Sequence, residues 1–191
     1  LYNPRSMKIR ILLLIFITLL SLSFGKEIKN LFMAEGSIHF TSDAPLEVIK
    51  ASSDRLVGAL DINSKDFYFR VYMNTFEGFN STLQREHFNE NYLESHKYPK
   101  ATFKGRVIED IDYSKPGTYT IRAKGKLNIH GIENNRIIKC KMKVKNKNLI
   151  EVTALFTVFL SEHNIKIPNI VNQKIAEEIE VQISTILKPR N

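Results

Sequence analysis

Asp66-Phe67-Tyr68-Phe69-Arg70-Val71-Tyr72-Met73 is the stretch on which the reading of this chain turns. Phe67, Phe69, Val71 and Met73 fall on one side of an extended backbone, and Tyr68, Arg70 and Tyr72 on the other. A period of two is what a strand needs to bury one face and wet the other; a helix would scatter the same residues around its axis. The rhythm recurs in Ala101–Ile108, with Phe103 and Val107, and in Tyr119–Ile129, where Ile121, Ala123, Gly125, Leu127 and Ile129 oppose Arg122, Lys124 and Lys126. It continues in Ile138–Val144 and in Val152–Leu160, the latter placing Val152, Ala154, Phe156, Val158 and Leu160 together. Ser37–Thr41, Val48–Leu60 and Ile179–Ile186 complete the set.

Lys115-Pro116-Gly117, Glu133-Asn134-Asn135 and Asn146-Lys147-Asn148 carry turn chemistry and predict the links between successive strands. Links this short require antiparallel neighbours. One stretch, Ser81–Glu94, breaks the alternation: Leu83, His87, Phe88 and Tyr92 recur at helical spacing before Pro99 ends the excursion. The fold class is therefore all-β with one helix. Eight or so amphipathic strands satisfy both a sandwich and a closed barrel, and periodicity fits either.

The chain has 191 residues, 43% of them hydrophobic and 25% charged, a globular composition that excludes a disordered tail. Its N-terminus reads as a leader. From Met7, the expected start, Lys8 and Arg10 precede the twelve-residue apolar run Ile11–Leu22, and Ser23-Phe24-Gly25 offers small residues for a signal peptidase. A spanning helix needs roughly 20 apolar residues, so removal after Gly25 is expected rather than anchoring. No cysteine follows the run to be acylated. The leader holds three cations and no acid, so its removal lowers the net charge from +8 to +5 and leaves residues 26–191 as one domain in the periplasm or secreted. The single cysteine, Cys140, excludes an intramolecular disulfide, and stability must come from a packed core.

Chemistry-bearing patterns are sparse. The five histidines, His39, His87, His96, His130 and His163, show no ligand spacing, so no metal site is expected. Ser161-Glu162-His163 are neighbours in sequence, which does not assemble a nucleophile, a base and an oxyanion hole. Lys139, Lys141, Lys143 and Lys145, beside Arg122, Lys124 and Lys126, predict a basic outer face that is either a solvated strand surface or a weak contact for an anionic membrane. Nucleic acid is not expected as a partner, because no binding motif accompanies the modest charge. The aromatics say more. With 12 Phe and 7 Tyr, the apolar faces place Phe67, Phe69, Phe103 and Phe156 either in a solid core or around an apolar lumen.

The order of several motifs resembles the YceI-like family. Gly36-Ser37-Ile38-His39-Phe40 is similar to its first strand. Gln84-Arg85-Glu86-His87-Phe88, Tyr92-Leu93-Glu94, Lys97-Tyr98-Pro99 and Ala101-Thr102-Phe103-Lys104-Gly105 are similar to its helix and following strand. Gly125-Lys126-Leu127-Asn128-Ile129-His130-Gly131 is the most specific match, and Ala154-Leu155-Phe156, Ser161 and Ile165-Lys166-Ile167-Pro168 complete the order. The resemblance implies an eight-stranded antiparallel lipocalin-like barrel with its helix near the mouth, and a non-enzymatic exported protein that holds a polyisoprenoid or other long-chain amphiphile for transport, storage or stress protection. It implies a lumen lined by Phe67, Phe69, Val71, Phe103, Ile121, Leu127, Phe156 and Val158, with Phe88 and Tyr92 shaping the entrance. No catalytic residue and no cofactor are expected, other than an isoprenoid quinone or polyprenyl lipid as the bound molecule. The sequence argues for no particular oligomeric state. Where many relatives carry an Arg and an aspartate after the late Ser, this chain reads Glu162-His163-Asn164, a departure from the family pattern at the place of any headgroup contact. The competing expectations are a lipid hydrolase or isomerase, which needs a titratable cluster facing the lumen, and a structural barrel filled solid by its own side chains.

Overall fold

The computed structural model describes residues 30–190, so the predicted leader, with Met7 and Gly25, lies outside the described residues. Eight strands follow one another: β1 (Leu31–Asp43), β2 (Val48–Asp61), β3 (Asp66–Tyr72), β4 (Lys100–Val107), β5 (Gly117–Ile129), β6 (Ile132–Asn146), β7 (Leu149–Phe159) and β8 (Glu178–Pro189). Each pairs antiparallel with the next, and β8 returns to β1 through the register Phe32↔Pro189 to Ser42↔Ile179. The sheet thus closes into a barrel in sequence order, which decides between the two architectures that alternation allowed. Closure also removes the free edges that an open sheet would present.

The two ends differ. The floor carries the links β2–β3, β4–β5 and β6–β7, where Ile62, Ile111 and Tyr113 fold inward against a deep cluster that includes Phe32, Phe67, Ile121, Met142, Ile150 and Leu187. The mouth carries the two long excursions, residues 73–99 and 160–177. The first holds helix α1 (Thr82–His87), which continues through one π turn, Phe88–Tyr92. Ser81 caps α1 by accepting from the Gln84 amide at 3.1 Å, satisfying one of the donors that a helix start leaves open.

Two departures from the sequence expectations have clear causes. Glu133-Asn134-Asn135 is not a turn: all three lie in β6, opposite Asn128, Leu127 and Lys126. The chain reverses instead at His130-Gly131, with φ of 51° and 75°. Positive φ at both central residues is what a type I′ hairpin requires, and its twist matches that of the strands it joins. Within β2 the buried set switches phase, from Ile49, Ala51 and Ser53 to Leu56, Gly58 and Leu60. The register jumps there, Gly36 facing Leu56 but Ile38 facing Ser53, so β2 carries one extra residue as a bulge that keeps both halves of the strand facing the core.

The outer face of β5 and β6 is charged as the alternation predicts, with Arg122 directly opposite Lys139. Like charges opposed in this way cost stability, and Glu109 offsets the repulsion by accepting from Arg122 Nε at 2.7 Å. The exposed ladder adds little to the fold. Lys141→Ala is expected to change stability by less than about 0.5 kcal/mol in a thermal melt.

Candidate functional site

The barrel encloses a cavity of about 590 Å³ that reaches from the mouth to the deep cluster. That volume lies in the range of ligand pockets. It excludes the reading of a barrel filled solid. The structure places Phe67, Phe69, Val71, Phe88, Tyr92, Phe103, Ile121, Leu127, Phe156 and Val158 all on its wall. Strand alternation brings eight of them inward from β3, β4, β5 and β7, while Phe88 and Tyr92 descend from the helical excursion.

Around Phe88, which the sequence placed at the entrance, sequence reasoning missed three further rings. Phe40, Phe76, Phe79 and Phe88 pack together beneath α1, with Phe79 and Phe88 ring centres 5.1 Å apart and Phe40 stacked on Phe88 at 5.5 Å. Only Phe40 sits on a strand, where its alternation with Ile38 and Ser42 was a usable signal; Phe76 and Phe79 lie in a stretch without period. Deeper, Phe67 and Phe103 approach to 4.9 Å. These offset and tilted pairs stiffen the wall beyond simple burial.

Polarity on the wall is graded. Glu47, Gln84, His87 and Lys174 gather at the mouth, whereas Ile121, Ala123, Ile138, Met142 and Leu187 form the depth. Cys140 faces this depth, and burial pushes its thiol up to about 11. A thiol held neutral is a poor nucleophile. Thr185, buried on β8, turns its hydroxyl toward the Val152 carbonyl at 3.5 Å. Such a surface can hold an apolar chain by burial and offers most of its hydrogen bonds near the rim.

The titratable residues that could support an enzyme are arranged otherwise. His130 Nε2 lies 2.7 Å from Glu94 Oε2 and His130 Nδ1 lies 3.1 Å from the His163 carbonyl, but neither His130 nor Glu94 is on the cavity wall. The Glu94 carboxyl is held below its usual range, first by the hydrogen bond to His130. Tyr98 packs edge-on against His130, ring centres 4.6 Å apart, and against Gly131, where a Cβ would meet the Tyr98 ring at 2.5 Å. Three of the motifs behind the family resemblance therefore meet in one clasp that joins the β5–β6 hairpin to the end of the helical excursion. His130→Asn, which tolerates the left-handed backbone but cannot span both partners, is expected to cost about 1–2 kcal/mol, read as a lowered Tm.

Ser161, Glu162 and His163 do not form a catalytic set. Glu162 accepts from Arg136 Nη1 at 2.9 Å, and His163 is buried with Nδ1 3.2 Å from the Ile132 carbonyl. Among the described residues, no three His, Cys, Asp or Glu side chains gather as metal ligands. Burial holds the His163 imidazole below its ordinary value. The unfolded chain takes up that proton near pH 6.5, so the folded state is favoured in full above this and loses stability as pH falls from there toward the folded value. Melts between pH 7.5 and 5 should show Tm falling on acidification, with a shallower fall in His163→Gln; equal slopes in the two proteins would contradict this.

The model of the YceI-like domain family matches residues 27–187. Among solved structures, the barrel is similar to a polyisoprenoid binding domain from Saccharophagus degradans implicated in plant cell wall breakdown, with a TM-score of 0.71 and 12% identity over 84% of this chain and 99% of that one. Burkholderia cenocepacia BcnA aligns with a TM-score of 0.64 and 11% identity, covering 84% and 98% of the two chains. A Campylobacter jejuni YceI protein aligns with a TM-score of 0.53 and 14% identity, covering 69% and 78%. At these identities the likeness is one of fold. No curated protein matches the chain by sequence. A family match that spans nearly all of the described barrel leaves one conclusion: this chain belongs to the YceI-like family.

Proposed function

We propose that this protein is a non-enzymatic carrier of one long-chain lipid, an isoprenoid quinone, a polyprenyl chain or a similar amphiphile, held with its tail in the barrel and its head at the mouth. The observation that carries the reading is a cavity of about 590 Å³ whose wall is predominantly apolar, with most of its polar side chains at the mouth and few, such as Thr185, deeper. Burial stabilises a hydrocarbon chain by about 0.8 kcal/mol per CH₂, so a wall with few hydrogen-bonding groups still binds a tail tightly. The Saccharophagus degradans neighbour, described as a polyisoprenoid binding domain, supports the same class of ligand. The leader reading places the carrier in the periplasm or outside the cell, where it would transport, store or protect its lipid. The exposed basic face around Lys139, Lys141 and Lys143 would draw it weakly toward anionic membranes, an attraction that salt screens.

Delipidated protein should take up the fluorescent fatty acid cis-parinaric acid at a single saturable site. A quinone with an isoprenoid tail, added in detergent, should displace it. Absence of saturable uptake of either probe would reject the carrier reading.

A further inference from the structure

Most aliphatic side chains of the end loops are covered, including Leu93 and Ile165 at the mouth, and Ile108 at the floor is only 36% exposed. At the floor Ile62 and Ile111 turn inward. At the mouth Leu46, Leu83 and Ile170 turn outward, 67%, 58% and 91% exposed. They come from three separate segments: the β1–β2 link, α1 and the 3₁₀ turn Asn169–Val171. These segments touch, because the Leu46 amide donates to the Gln173 carbonyl at 2.9 Å and Gln84 Nε2 donates to Glu47 Oε1 at 3.0 Å. Glu47, Leu83 and Val171 are themselves wall residues, so the bare aliphatics form the outer lip of the cavity. Scattered exposed aliphatics need no explanation; a set ringing the opening of an apolar cavity does.

We infer that the barrel docks mouth-first on a lipid bilayer, with Leu46, Leu83 and Ile170 dipping into the interface, and that its lipid passes directly between bilayer and cavity. The inference rests on the carrier reading for its cargo. Mouth-first contact brings the acyl region against the lip, so that a tail crosses only the rim, where Glu47, Gln84, His87 and Lys174 stand, before reaching the Phe40, Phe76, Phe79 and Phe88 group and the depth.

The size of the lip favours a bilayer over a protein. Three aliphatic side chains supply about a dozen carbons, close to the short acyl chain that gives marginal, reversible membrane attachment. A stable protein interface buries about 800 Å² on each partner, far more than three side chains offer. Charge is divided around the lip: Lys166 and Lys174 flank Ile170, while Glu47 adjoins Leu46 and Glu86 lies on α1 beside Leu83, so the contact rests on the aliphatic side chains.

The test uses the chain's own cysteine arrangement. Cys140 is buried, with its thiol pushed up to about 11, so a maleimide fluorophore reacts at an introduced cysteine instead. Ile170→Cys labels the lip, and Lys147→Cys labels the floor turn as the control. With vesicles of phosphatidylcholine containing one part in four phosphatidylglycerol, the label at 170 should brighten and shift to the blue while the label at 147 stays unchanged. The double variant Leu46→Asp with Ile170→Asp, neither residue being on the cavity wall, should acquire a tailed quinone from those vesicles at least tenfold more slowly than the parent. Its uptake of the same quinone from detergent micelles should match the parent, which shows that it is folded.

A silent label at 170, an equal response at 147, or vesicle transfer at the parental rate would each overturn the docking. A blue shift at 170 that grows with protein concentration alone would also overturn it, because a second copy would then cover the lip. Failure of the parent to take quinone from micelles would overturn the carrier reading and with it the transfer step, whereas the vesicle response of the label reports docking independently.

Discussion

Phe156→Asp is expected to abolish lipid retention and to lower Tm sharply. Phe156 lies on β7 opposite Val181 and packs between the deep cluster and the group formed by Leu127, Val158 and Val181. Removing a packed ring costs about 3–5 kcal/mol, against a total of roughly 5–15 kcal/mol for a domain. The carboxylate adds a second cost, since its packing neighbours Leu127, Val158 and Val181 are apolar and the charge must draw in water or a proton. Water drawn into the lumen competes with the tail for the same space, so affinity for a lipid should fall at least a hundredfold even where the barrel persists. Phe156→Leu separates the two effects: it keeps the wall apolar and should retain lipid, with a smaller loss of Tm. Both are read by far-ultraviolet melts together with parinaric acid titration.

Gly105→Ala is expected to be nearly as damaging without placing any polar group in the barrel. Gly105 on β4 faces Gly125 on β5, and a Cβ at Gly105 would lie 2.1 Å from the Lys124 carbonyl oxygen and 2.4 Å from the Gly125 Cα. The obstacle is backbone, so no side chain can rotate away. β4 and β5 must separate, along a ladder that runs only from Thr102↔Asn128 to Val107↔Ala123. Overpacking of this kind costs about 3 kcal/mol. In a chain of this size that corresponds to about 10 °C in Tm. Gly125→Ala meets the Lys104 carbonyl at 2.2 Å and should behave alike. Gly78, where an added Cβ has no neighbour nearer than 4.0 Å but φ is 90°, should cost less when changed to Ala, since strain alone operates there.

How much of this was legible in the chain depended on whether the physics was local. Alternation is set residue by residue, so Phe67, Phe69, Phe103 and Phe156 could be placed on one face of their strands from the sequence. Closure is not local: the pairing of Phe32 with Pro189 joins residues at opposite ends of the barrel sequence, and no period reports it. That choice came from motif order, which the fold then explained, because Glu94, Tyr98, His130 and Gly131 meet in one clasp.

The misplaced turn has the same logic in reverse. Glu133-Asn134-Asn135 looks like a turn by composition, yet the positive φ at His130 and Gly131 is stabilised by the long-range contacts of His130, which composition does not register. Phe76 and Phe79 escaped notice because they reach the mouth from an irregular segment, positioned partly by the Ser52–Glu77 bridge. The exposed lip was visible only in part: Leu83 sits in the predicted helix at a spacing that suggests an inward face, and α1 sets it at the rim, lining the cavity opening yet 58% exposed.

If the lumen carries a lipid tail, the mass of the intact folded protein reports it without any added probe. Native mass spectrometry of protein purified without detergent, followed by analysis of its organic extract, should reveal one equivalent of a long-chain lipid that is absent from Phe156→Asp. A measured mass equal to the polypeptide alone, with a barren extract and no uptake of added quinone, would contradict the account.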